Sequence, residues 1–238
     1  MFADRIIFQP PPVTYNDTRQ ILKLSTVGGE QVSAIFLPNE RSAFTILYSH
    51  GNAEDLGTVR YKLEALRQMG YSVLGYDYEG YGTSQGKPSE GAAYRDIDAA
   101  YEYLTGEQRI PADRVIAYGW SLGGAVAADL AARKPLGGLI LESTFVSAYR
   151  VMTRAPVLPF DKFRTLAKLE RVSCPILVMH GEQDEVIGFW HGQKLYERAN
   201  EPKRRLWVRG AGHGELEAVA GERYKRALEE FAELLAKR

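Results

Sequence analysis

The sequence predicts an α/β protein, a mostly parallel β-sheet with helices on both faces. Three observations point there. Short apolar runs bounded by glycine, proline or polar residues recur along the chain and read as buried strands. Segments with apolar residues three and four apart separate them and read as helices. Every motif able to carry chemistry falls just past one of the short runs, and in such sheets sites form at the carboxyl ends of strands.

The elements follow in order. Residues 20–26 and 31–37 alternate around Gly28-Gly29 and predict an opening hairpin. Residues 44–48 form an apolar strand. Residues 59–69 carry helical periodicity, with Gly70 as the stop signal. Residues 72–77 are the next strand and 89–104 a helix. Strand 114–118 leads through Gly119-Trp120-Ser121-Leu122-Gly123 into helix 124–133. A strand at 138–142 follows. Residues 145–170 hold Pro156, Pro159 and aromatics without a clear period, and read as a short cap-like insertion. Strand 176–180, helix 189–199, strand 205–208 and the amphipathic helix 222–235 complete the chain.

Length and composition narrow the class. The 238 residues suit one domain, 1–238, with a substantial core. Thirty basic residues balance thirty acidic ones, so neither nucleic acid nor an anionic membrane is an expected partner. Cys174 is the only cysteine, which rules out an internal disulfide and fits a reducing, cytoplasmic setting. The N-terminal apolar run is too short for a signal peptide, and no stretch approaches the ~20 apolar residues of a membrane span.

Gly-x-Ser-x-Gly between a strand and a helix is the context in which the serine serves as a nucleophile. The turn is sharp, glycines relieve its crowding, and the helix N-terminus below favours an oxyanion. Ser121 then needs a base, and the base needs an acid to orient it. His213, in Gly210-Ala211-Gly212-His213-Gly214, follows the last strand. Asp184 follows the strand before it. Glu142, at the end of its strand, is the rival acid; Glu182 and Glu185 read as solvated.

Two backbone N–H groups must face the developing oxyanion. Leu122, just after the nucleophile, is expected to supply one. Asn52, in the loop Ser49-His50-Gly51-Asn52-Ala53, is expected to supply the other, with Ala53 second. His50 reads as a residue that fixes this loop, and His180 and His191 as structural. No metal and no cofactor is expected. The histidines lack ligand spacing, and the glycine-rich residues 80–86 lack a phosphate-loop lysine.

Several longer runs carry a resemblance. Tyr48-Ser49-His50-Gly51-Asn52-Ala53-Glu54-Asp55-Leu56-Gly57 is similar to the oxyanion loop of α/β hydrolases of the serine-aminopeptidase-like group. Residues 77–84, 86–90, 180–187 and 210–213 also match it. The chain resembles most the subgroup of palmitoyl-protein thioesterases known as α/β-hydrolase domain-containing protein type seventeen, from about residue 8 to 235. The resemblance implies the α/β-hydrolase fold, hydrolytic chemistry and a triad of Ser121, Asp184 and His213 in that chain order. That subgroup has a lipidated cysteine-rich N-terminal segment. This sequence starts at Met1 without one, so no stable membrane anchor is expected. Trp120 also stands where the subgroup carries a polar residue.

The expected activity is hydrolysis of a small-molecule or acyl-protein ester or thioester through an acyl-enzyme. Trp120, Phe145, Val146 and Trp190 are the expected pocket residues, with Met152, Phe160 and Phe189 as further candidates. A peptidase of the same fold is the alternative, and would need carboxylates near the pocket; Glu142 and Glu185 are the candidates. A binding module would be expected to lack a triad member, and a dehalogenase to carry a carboxylate at position 121.

Overall fold

The computed structural model describes residues 7–153 and 161–238. The chain clusters into two compact units, Met1–Ala117 and Tyr118–Arg238.

In the first unit the strands lie side by side in the order β1, β2, β4, β3. β1 (Leu22–Ser25) and β2 (Gln31–Leu37) form the expected antiparallel hairpin, with Leu22 opposite Ala34. β2 is antiparallel to β4 (Ser72–Tyr76), which runs parallel to β3 (Thr45–Ser49). Both β3 and β4 are buried along their whole length. Such strands read as continuous apolar runs because helices cover both faces. Helix α1 (Arg60–Gln68) buries Leu63 and Leu66, and α2 (Glu90–Glu102) buries Ile97 and its alanines. Ser89 caps α2 by accepting the Ala92 N–H at 3.1 Å. α2 is shorter than its apolar period suggests, because a π-helical turn, Tyr103–Glu107, takes over at its end.

Asp96 lies within α2 and is fully buried. One carboxyl oxygen accepts the Glu79 N–H at 2.9 Å; the other has no partner. Burial, aided by the Glu79 charge, pushes its pKa up to about 8. The folded protein therefore keeps a proton that the unfolded chain loses near pH 4. Stability is lost as pH rises from about 4 to 8, by up to about 1.4 kcal/mol per unit. Asp96→Asn is expected to remove this dependence. Its melting temperature relative to the parent should climb steadily between pH 4 and pH 8. A difference independent of pH would show that Asp96 is ionised in the fold.

In the second unit β5 (Val115–Trp120, whose first residues belong to the first unit), β6 (Gly138–Glu142), β7 (Ile176–Gly181) and β8 (Lys203–Val208) are adjacent in that order. β6 and β7 are parallel, as are β7 and β8. Helix α3 (Leu122–Ala131) is buried all round, which accounts for its apolar sequence. Two short helices, α4 (Ala148–Thr153) and α5 (Thr165–Lys168), fall in the segment that shows no period in the sequence. They are too short to display one. Helix α6 (Trp190–Arg198) precedes β8. Helix α7 (Leu216–Ala220), absent from the sequence reading, follows it. Helix α8 (Glu222–Ala236) buries Tyr224, Leu228, Phe231 and Leu235 along one stripe, as its spacing requires.

Candidate active site

β5 ends at Trp120 and α3 begins at Leu122, leaving Ser121 alone on the turn. Its backbone adopts φ +53° and ψ −117°, a region that L-residues rarely occupy. Neighbouring elements hold it there. The Ser121 N–H donates to the Glu142 carbonyl at 2.9 Å, and the Thr144 hydroxyl donates to the Ser121 carbonyl at 2.6 Å. Gly119 is required beside it, because a Cβ there would collide with the Gly123 backbone. The Leu122 N–H, first in α3, has no backbone acceptor among the described residues, as expected of the first turn of a helix.

β7 and β8 deliver the other two residues. Asp184 lies in the turn after β7 and is buried; His213 lies in the loop after β8 and is half-buried. His213 Nδ1 is 2.8 Å from Asp184 Oδ2, and His213 Nε2 is 3.1 Å from Ser121 Oγ. The three residues singled out in the sequence therefore form one hydrogen-bonded chain. The other oxygen of Asp184 accepts the Val186 and Ile187 N–H groups at 3.0 and 2.7 Å. Burial alone would raise the Asp184 pKa. Hydrogen bonds from His180, His213 and the Ile187 N–H outweigh it and hold the carboxyl well below its usual range.

The remaining histidines are occupied elsewhere. His180 is fully buried; its Nε2 lies 2.7 Å from the Ile187 carbonyl and 3.4 Å from Asp184 Oδ2. It supports the acid from behind, a role its sequence context does not reveal. His191 Nδ1 accepts the Val146 N–H at 3.1 Å, which requires a neutral ring. Burial and the nearby His180 lower its pKa to about 4. His50, in the first unit, is buried with Nδ1 2.7 Å from the Gly51 carbonyl and Nε2 3.2 Å from Asp77. It anchors the loop, as the sequence suggests.

That loop is tightly fixed. The Asn52 side chain donates to the Ile7 carbonyl and accepts from the Tyr81 hydroxyl and the Gln9 N–H. The Asn52 and Ala53 N–H groups have no acceptor among the described residues. Glu142, the rival acid, is buried beneath the Tyr118 and Tyr224 hydroxyls, both of which donate to it.

Of the expected pocket residues, Trp120 packs on the His213 ring, with centroids 5.1 Å apart. Trp190 stacks on His191 at 3.7 Å. Phe189 sits against His180 and Trp207. Phe145 and Val146 are buried, and Val146 lines a cleft together with Ser147 and Arg150. The Met152 side chain and Phe160 lie outside what the structure describes. Among the described residues, no group of three or more His, Cys, Asp or Glu could hold a metal ion. No described helix is long and apolar enough to cross a membrane.

Comparison with known proteins places this geometry. Residues 40–165 match the family described as serine aminopeptidase, S33. The chain is 44% identical over 203 residues to alpha/beta hydrolase domain-containing protein aho-3 of Caenorhabditis elegans, covering 84% of this chain and 60% of that protein. It is 38% identical over 221 residues to alpha/beta hydrolase domain-containing protein 17B of Xenopus tropicalis, covering 90% and 75%. The chain thus spans less than two thirds of the nematode protein and three quarters of the frog one. Among solved structures, a Pyrococcus furiosus esterase superposes with a TM-score of 0.81 at 22% identity, covering 97% of this chain and 98% of that one. At that identity the likeness shows the fold, the α/β-hydrolase fold.

Proposed function

Because the chain belongs to the serine aminopeptidase S33 family of α/β hydrolases, we propose that it is a serine hydrolase cleaving carboxylic esters or thioesters through an acyl-enzyme. The observation that carries this reading is the chain Ser121 Oγ, His213 Nε2, His213 Nδ1, Asp184 Oδ2. Ser121 Oγ attacks the acyl carbon while its proton passes to His213 Nε2. Asp184 keeps the proton of Nδ1 in place and stabilises the imidazolium. That imidazolium then protonates the departing alkoxide or thiolate. Water, deprotonated by His213, attacks the acyl-enzyme and releases the acid with Ser121 restored. The Leu122 N–H is a donor to the oxyanion, and such a donor is worth about 3 to 4 kcal/mol in the transition state.

The peptidase alternative needs carboxylates that could meet a substrate amine. Glu142 is committed to two tyrosines, which removes it. Glu185 remains: with Glu215 it flanks Gly212, next to His213.

A substrate panel separates the two. A fluorophosphonate should label Ser121. Nitrophenyl esters and an S-acyl peptide should be cleaved much faster than aminoacyl-nitroanilides. Within the ester series kcat/KM should rise with chain length, by up to about 0.8 kcal/mol per methylene while each is buried. Faster turnover of an aminoacyl-nitroanilide than of every ester and thioester would make the protein a peptidase.

A further inference from the structure

A cleft of about 250 Å³ opens between α4, α5 and α6. Two of the residues that line it each carry a buried polar atom without a hydrogen-bond partner, the Ser147 hydroxyl and the Arg150 Nε. Ser147 is itself only 3% exposed. A buried donor left without an acceptor costs free energy, and two on residues of one cleft wall need a reason. Arg164 also lines it and has no carboxylate partner among the described residues. Arg198, the third guanidinium, is already paired with Glu170. Asp161 accepts the Tyr149 N–H at 3.3 Å.

The charges set what can bind. Three arginines against Asp161 and Glu170 leave a surplus of one positive charge. A guanidinium fork and a hydroxyl are donors matched to a carboxylate or phosphate oxygen pair. A single surplus charge suits a monoanion better than a dianion. The cleft is tied to the turn of Ser121 through a short stretch of chain. Ser147 is three residues beyond Thr144, whose hydroxyl holds the Ser121 carbonyl, so their Cα atoms are at most about 11 Å apart.

We infer that this cleft binds a singly charged oxyanion carried by the acyl substrate, so that the preferred substrates are anionic esters or thioesters. The inference rests on the esterase reading only for its kinetic consequence. Ser147 and Arg150 hold the anion at the base of the cleft, and Arg164, which is exposed, guards its mouth.

The kinetic test compares a nitrophenyl ester ending in a carboxylate with its methyl-capped neutral counterpart. The parent enzyme should favour the charged ester by about tenfold or more, the scale of one charge-assisted hydrogen bond. Arg150→Gln should abolish that preference while leaving the neutral ester within about twofold. Arg164→Gln, at an exposed position, should reduce the preference and guards against misfolding of the first variant. Ser121→Ala separates this inference from the esterase reading. Its binding of monomethyl glutarate and of dimethyl phosphate is followed by NMR titration, with and without Arg150→Gln. Arg150-dependent binding supports the cleft even if no ester is cleaved, and the tighter of the two probes identifies carboxylate or phosphodiester. Equal turnover of the two esters, or binding unaffected by Arg150→Gln, overturns the inference and leaves the esterase reading intact.

Discussion

Ser121→Ala is expected to lower kcat for ester hydrolysis by three or more orders of magnitude and to abolish fluorophosphonate labelling, with the fold unchanged. The substitution isolates the hydroxyl. Alanine keeps the Cβ, so the turn at φ +53° is as strained as before. The backbone hydrogen bonds from Ser121 to Glu142 and from Thr144 survive, because neither uses the serine Oγ. Circular dichroism and the melting temperature should therefore match the parent closely. Ser121→Gly provides the contrast. It removes the same hydroxyl but also relieves the positive-φ strain, which is worth about 1 to 3 kcal/mol. That variant should be equally inactive and more stable. Near-parental turnover by the alanine variant would move the nucleophile elsewhere.

The residues legible in the sequence share one property: each sits at the end of a short apolar run and is marked by local chemistry. Ser121 follows β5 between glycines, Asp184 follows β7 and His213 follows β8. Local signals suffice because strand, turn and candidate side chain are contiguous. What escaped is set by contacts distant in sequence. Tyr224 reaches Glu142 from 82 positions away and Tyr118 from 24, and these contacts show why Glu142 is no longer available. His180 backs the acid through a turn whose geometry a sequence motif does not display. The cleft of Ser147 and Arg150 lies in the segment without periodicity. Its two donors become visible only when burial shows that they lack acceptors. The expected apolar lining meets the same limit, since the period of Phe145 and Val146 cannot tell a pocket wall from core packing.

Asp184→Asn is expected to cost on the order of 10⁴ in kcat, comparable to the loss known for the acid of serine-protease triads. The structure supplies the reason. One oxygen of Asp184 accepts two backbone N–H groups, from Val186 and Ile187. An asparagine must keep its carbonyl oxygen there, since an NH₂ group would face two donors. Its NH₂ group is then turned toward His213 Nδ1, where the carboxylate stood at 2.8 Å. It can only donate, so Nδ1 must accept and the ring proton moves to Nε2. The nitrogen 3.1 Å from Ser121 then carries a hydrogen and cannot take the serine proton. The geometry is preserved while the tautomer is wrong. Glu142→Gln is the control at the rival carboxylate. A glutamine oxygen still accepts the Tyr118 and Tyr224 hydroxyls, while the His213 ring nitrogens face Asp184 and Ser121. Its kcat should stay within about tenfold of the parent, any cost falling on stability through the weakened buried hydrogen bonds. Esterase kinetics on both variants, with ¹⁵N chemical shifts of the His213 ring, test the argument together. Asp184→Asn should show protonation at Nε2 where the parent shows it at Nδ1. A larger rate loss in Glu142→Gln than in Asp184→Asn would assign the acid to the end of β6.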